Sequence, residues 1–174
     1  MKKYAFHISI IIILLLASSV NAQSLPLWNG AEYGMTIEQV QSIFPNAERL
    51  LKSNIHHTGT DEHLTLEDVY FLSEHFKADF YFNRGKLTQI ALSLKEHRDV
   101  NSVMTAFNSL TEALRAKHGT EINLQIRKGI LNYAKATWLN GYTNIGLSVI
   151  GDKNAVLYIT YQVGIAHEAN RLRS

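Results

Sequence analysis

Residues Phe76–Leu94 read FKADFYFNRGKLTQIALSL, and this stretch decides the architecture. Phe76, Ala78, Phe80 and Phe82 alternate with Lys77, Asp79, Tyr81 and Asn83, the period of two expected for a strand with one buried face. Asn83-Arg84-Gly85-Lys86 supplies turn chemistry, and Leu87–Leu94 returns with Ile90, Leu92 and Leu94 on one side. Such a hairpin belongs to an antiparallel sheet that packs one face and leaves the other polar.

Working outward, Leu64, Leu66 and Val69 carry the alternation into a preceding strand, whereas Lys52–Glu62 is polar, aperiodic and reads as a loop. Further upstream, Thr36-Ile37-Glu38-Gln39 is a capping box: the Thr36 hydroxyl accepts from the Gln39 backbone N–H while the Gln39 side chain reaches back. Ile37, Val40, Ile43 and Phe44 supply a short apolar stripe, and Pro45 stops the helix. Ser24–Gly34 carries turn formers and two aromatics. Downstream, a longer helix opens at Asp99 or Asn101; Val100, Val103, Met104, Phe107, Leu110 and Leu114 form its core stripe, and Lys117-His118-Gly119 its end. Strands follow at Ile122–Arg127, Ala134–Leu139, Asn144–Ile150 and Ala155–Val163, with Asn140-Gly141 as a two-residue hairpin signal. The order is therefore helix, three strands, helix, four strands. It predicts an α+β fold in which two helices cover one face of an antiparallel sheet. Residues 30–96 and 99–165 have the outline of a tandem repeat of helix then meander; the alternative is one continuous sheet of six or seven strands.

The first 22 residues have a different chemistry. Lys2 and Lys3 precede the apolar run Ile8–Ala17, and Val20-Asn21-Ala22 places small or slim residues where a signal peptidase reads. An apolar run of about ten residues is too short to span a bilayer, which takes roughly 20. We expect a cleaved leader at residues 1–22, a single α+β domain at residues 23–174, and a periplasmic or secreted location without a stable membrane anchor. Lys plus Arg is 17 in the whole chain against 15 acids, and removing the leader takes away two lysines, so the mature chain has no net charge. That gives no basic excess for nucleic acid or anionic lipid. There is no cysteine, hence no disulfide, no thiol nucleophile and no lipidation cysteine.

The segment Trp28–Val40, WNGAEYGMTIEQV, resembles the opening of two exported families. One is the SmpA/OmlA family of small lipoproteins of the outer-membrane barrel assembly machinery, the BamE-like proteins; the other is the beta-lactamase inhibitory proteins. Both begin a helix-then-meander module with a glycine, a capping Ser or Thr and a Gln-Val or Glu-Val pair. The resemblance covers these 13 residues and the order of elements. It implies an exported, non-catalytic, protein-binding module whose sheet faces a partner. This chain lacks both the acylated cysteine of the first family and the disulfide of the second, and the resemblance assigns no functional residue.

Among candidate sites, His56, His57 and His63, with Asp61 and Glu62 between them, are the sole cluster with metal-ligating chemistry, and His75 and His97 flank strands that can approach it. The spacing matches no closed zinc motif, and such a loop is ordinarily solvated, so no metal or other cofactor is expected. No serine stands in a glycine elbow, no glycine-rich phosphate loop occurs, and Glu67, Asp68 and Glu74 read as a solvated sheet edge, so no catalytic residue is expected. Tyr81, between Asp79 and Asn83, and Tyr158, between Val156 and Thr160, are tyrosines on polar strand faces, suited to partner contact. The composite expectation is a periplasmic protein-binding module, such as an inhibitor or an immunity protein, with an envelope protein as partner. The alternatives are an outer-membrane assembly accessory and a small-ligand or metal-binding protein.

Overall fold

The computed structural model describes residues 25–50, 62–129 and 132–164; the leader, His56 and His57 lie outside them. A small hairpin, β1 (Pro26–Trp28) and β2 (Ala31–Glu32), precedes α1 (Ile37–Ile43). Four strands follow, β3 (Glu48–Leu50), β4 (Glu62–Phe71), β5 (Glu74–Asn83) and β6 (Lys86–Leu94), then α2 (Val100–His118). The chain continues through β7 (Asn123–Arg127), β8 (Asn132–Asn140), β9 (Thr143–Gly151) and β10 (Val156–Val163). Among the described residues, two helices thus accompany one eight-stranded antiparallel sheet, in the order β3-β4-β5-β6-β10-β9-β8-β7. The α+β class holds.

The sheet has eight strands where six or seven were expected, because β3 adds a fourth strand between the helices. At three residues it is too short to display a period, and its pairing of Glu48 with Thr65 and Leu50 with His63 is not a local property of the sequence. The hairpin β1-β2, expected as turns, escapes for the same reason. Asn140 pairs with Thr143, so the reversal falls on Gly141-Tyr142 and not on Asn140-Gly141. Gly141, at φ +59°, takes the first central position, where a positive φ favours glycine.

The local chemistry of the helices follows the sequence. Thr36 caps α1, accepting from the Gln39 N–H at 3.3 Å while its own N–H donates to Gln39 Oε1 at 2.8 Å. Asp99 caps α2, accepting from the backbone N–H groups of Asn101 and Ser102 at 2.9 and 3.2 Å. Along α2, Val103, Ala106, Phe107, Leu110 and Leu114 are buried, and the helix lies against β8, β9 and β10. These residues, Ile37 and Val40 of α1, and the buried apolar side chains of β5, β6 and β8–β10 form one hydrophobic cluster. Its largest members include Trp138, Phe76, Phe80, Phe82 and Phe107.

Two fastenings tie the periphery to this core. At the N-terminal side, Gly34 N–H donates to Leu87 O and Leu87 N–H to Met35 O, each at 2.8 Å, and Thr143 Oγ1 donates to Pro26 O at 2.6 Å. Phe44, just past α1, stacks on Trp28 with centroids 5.5 Å apart and meets Phe80 of β5 at 5.0 Å. At the end of α2, Trp138 Nε1 donates to Gly119 O at 3.0 Å, and Ile122 N–H donates to Thr137 O at 2.8 Å. Arg115 grips Glu121 there with both Nε, 2.7 Å from Oε2, and Nη2, which bonds Oε1.

Phe80 joins α1, the hairpin and the sheet, so Phe80→Ala is expected to lower the unfolding free energy by about 3–5 kcal/mol, read by urea denaturation. The Arg115–Glu121 clamp sets a pH dependence. The hydrogen bonds from Arg115 hold the Glu121 carboxyl down to about 2 from an ordinary 4.5, against an opposing effect of burial. The folded chain therefore resists protonation that the unfolded chain accepts, so the contribution is whole above about pH 4.5 and is lost as the pH falls towards about 2. In thermal melts across that window, Arg115→Met should flatten the acid dependence; a slope equal to that of the unaltered chain contradicts the clamp.

Candidate functional site

The alternation that buries Phe76, Ala78, Phe80 and Phe82 sends Lys77, Asp79 and Tyr81 to the opposite face of the sheet, and in β10 it sends Val156, Tyr158, Thr160 and Gln162 there. The register assembles these residues into rows. Tyr158 is flanked by Ser93 of β6 and Ser148 of β9, and beyond Ser148 by Lys135 of β8. One row along, Asp79, Ala91, Thr160, Gly146 and Thr137 lie side by side across five strands. The next row carries Tyr81, Gln89, Gln162 and Asn144.

The middle row is low and tightly set. Thr160 Oγ1 stands over Gly146, donating to its carbonyl at 3.4 Å, and a Cβ on Gly146 would lie 2.8 Å from that oxygen. A glycine is needed here for close approach, because any side chain would displace the threonine. Asp79 is buried on this face, accepting from Thr65 Oγ1 at 2.8 Å and paired with Lys77 Nζ at 3.1 Å. Burial, and then the Asp79 charge, push the Tyr81 hydroxyl pKa upward, so Tyr81 stays neutral and able to donate at physiological pH. Tyr81 and Tyr158 share the face but not a contact. Two strand spacings of about 4.8 Å and four rises of about 3.4 Å separate them by roughly 16 Å.

One end of this face is charged and apolar together. A bulge in β4, between Leu66 and Val69, brings Glu67 and Asp68 to the same Lys95 Nζ, each at 3.3 Å. His75 lies between two carboxylates, with Nε2 3.0 Å from Asp68 and Nδ1 3.4 Å from Glu96. Its ring stacks on that of Tyr70 at 4.6 Å. Hydrogen bonds from His75 and then Lys95 lower the Asp68 pKa. Above this cluster, Tyr70 is 70% exposed and Leu72, in the β4-β5 turn, is 56% exposed. Val156 of β10 is exposed on the same face of the sheet.

Leu72 was not legible as a site residue. It sits at φ +55°, in the left-handed region where a leucine is strained, in a turn with no glycine to mark it. The metal candidates fare differently. His56 and His57 lie outside the described residues; His63 is in β4, opposite Leu50 and Tyr81 in register. Among the described residues no group of three or more His, Asp or Glu side chains is arranged to hold a metal ion. Glu67 and Asp68, expected at a solvated edge, are exposed and also pair with Lys95 and His75; Glu74 departs from the expectation, its carboxylate largely buried with Oε2 2.8 Å from Arg98 Nη1.

A cavity of about 170 Å³ opens between the β1-β2 turn and the end of α2, lined by Trp28, Lys117, His118, Thr143 and Tyr161 among others. Burial pushes the Tyr161 hydroxyl up to about 12, and burial with the nearby Lys117 lowers His118. Both side chains are therefore neutral near pH 7.

The strain at Leu72 has a measurable consequence. Leu72→Gly should raise the unfolding free energy by about 0.5–1 kcal/mol, since glycine adopts the left-handed conformation without the roughly 1–2 kcal/mol that a Cβ costs. A loss of stability would show that the leucine side chain has a packing role that outweighs its strain. No family model, no curated protein and no solved structure matches this chain.

Proposed function

We propose that the protein is an exported, non-catalytic module of the cell envelope that binds another protein through the polar face of its sheet. The single observation that carries this reading is the make-up of that face. Its centre, Ala91, Ser93, Gly146, Ser148 and Thr160, is small and uncharged, Lys77, Asp79 and Lys135 stand to either side, Tyr158 lies within it, and Tyr70, Leu72 and Val156 are exposed at one end. A flat surface of small residues lets a partner approach closely, and rigid aromatics supply contact area at low entropic cost.

Three further features support the reading. The N-terminal Lys2-Lys3, the apolar run and Val20-Asn21-Ala22 fit a cleaved leader and hence a periplasmic or secreted protein. The segment Trp28–Val40 resembles the openings of exported binding modules. The element order, a helix then four strands, occurs twice, and the two meanders meet through their last strands. We read this as a doubled helix-plus-meander unit with both helices covering the core side, which leaves the polar side for a partner. An inhibitor or immunity protein is the role this arrangement suits best, because one broad face engages one folded target.

The test is quantitative. The chain captured on a surface should retain one folded envelope protein at near-equal stoichiometry, and Tyr158→Ala should weaken that complex by about tenfold or more, while leaving the thermal midpoint within a few degrees. Retention of many unfolded outer-membrane proteins would instead favour an assembly accessory. Binding unaffected by Tyr158→Ala and Tyr81→Ala would remove the polar face from the account.

A further inference from the structure

Among the described residues, the two outer strands of the sheet differ. β3 is three residues long, carries Glu48 and Arg49, and has Arg49 tied to Glu38 of α1 at 3.2 Å. A short, charged edge resists the addition of another strand. β7 closes the other end of the sheet with five residues in unbroken register with β8, every one of them exposed. It contains no proline and no bulge. Leu124 and Ile126, 43% and 48% exposed, lie on the same face as the buried Ala136 and Ala134 opposite them. They are core-facing residues left without cover.

The gap beside them is a groove of about 460 Å³ between α2 and the β7 end of the sheet. Val100, Met104 and Asn108 form one wall, and Ile126, Arg127 and Lys128 the other. The lining holds two cations and no carboxylate. On the polar face, Lys135 stands opposite Gln125, one strand in from the edge. The acids near the other end of β7, Glu112 and Glu121, are both paired with Arg115. Among the described residues no strand pairs with the outer edge of β7, and alternation along it puts Leu124 and Ile126 on the α2 side and Arg127, with Lys135, on the other, while Lys128 follows at the strand's end.

We propose that β7 is an acceptor edge for an extended segment of a partner protein in which apolar and acidic residues alternate. The segment adds antiparallel to β7 by main-chain hydrogen bonds. Its apolar side chains cover Leu124 and Ile126 beside α2, and its carboxylates meet Arg127, Lys128 and Lys135. The net positive charge of this edge selects an acidic strand over a second copy of the chain, whose own β7 would bring like charge. This surface meets the polar face only at Lys135, and its test does not require that face to bind a protein.

The probe is a labelled, end-blocked peptide of about eight residues alternating Val and Glu, titrated against the full chain by fluorescence anisotropy beside its Val-Lys counterpart. We expect the Val-Glu peptide to bind at least about tenfold more tightly than the Val-Lys peptide. N-methylation of alternate amides should cost a similar factor, and Ile126→Asp should abolish binding. Arg127→Glu with Lys128→Glu should invert the preference, which a misfolded variant cannot do. Equal affinity for both peptides, absence of binding at about 1 mM, or self-association of the chain that Ile126→Asp abolishes would each overturn the proposal.

Discussion

The antiparallel pairing of β6 with β10, from Tyr158 opposite Ser93 to Gln162 opposite Gln89, turns two meanders into one sheet. With it, Ile90 and Leu92 of β6 continue directly into Tyr161 and Ile159 of β10 and on to Ile145 and Leu147 of β9. Burial on that side is then shared by strands far apart in the chain, and the hydrophobic driving force acts on one core. Such a pairing must close a long loop before it contributes, and pairings of that kind form slowly in general.

The same pairing determines what the surface offers. Because β6 and β10 meet in the middle, the outer strands β3 and β7 are the edges of the sheet. Tyr158, in β10, gains a central position that neither meander alone could give it. The strained Leu72 turn and the His75 cluster fall at one end of the face, while the open β7 edge lies at one side of the sheet. Three kinds of surface therefore arise from one topology: a flat polar face, an exposed apolar turn and an edge strand.

Much of this was legible in the sequence where the signal is local. The alternation in Phe76–Leu94, the Thr36 capping box and the stripe of α2 all report on residues within one or two turns or strand repeats of each other. β1, β2 and β3 were not, since two or three residues cannot show a period. The joining of β6 to β10 was open because nothing in either strand names its partner. For the site, Tyr81 and Tyr158 were legible as polar-face tyrosines from alternation alone. Their separation was not, because it depends on register across β5, β6 and β10. The bulge that draws Glu67 and Asp68 to Lys95 likewise follows from strand pairing. Leu72 was hidden for a different reason: a left-handed leucine contradicts turn preference, and such departures are where function competes with local stability.

If the polar face binds a protein, Tyr158 touches it. This is tested most directly by replacing Tyr158 with a photo-crosslinking benzoylphenylalanine in growing cells and separating the irradiated products by mass. One discrete protein adduct is expected from position 158 and none from position 112, where Glu112 is exposed on α2. The same products from both positions, or no adduct from position 158, would contradict it.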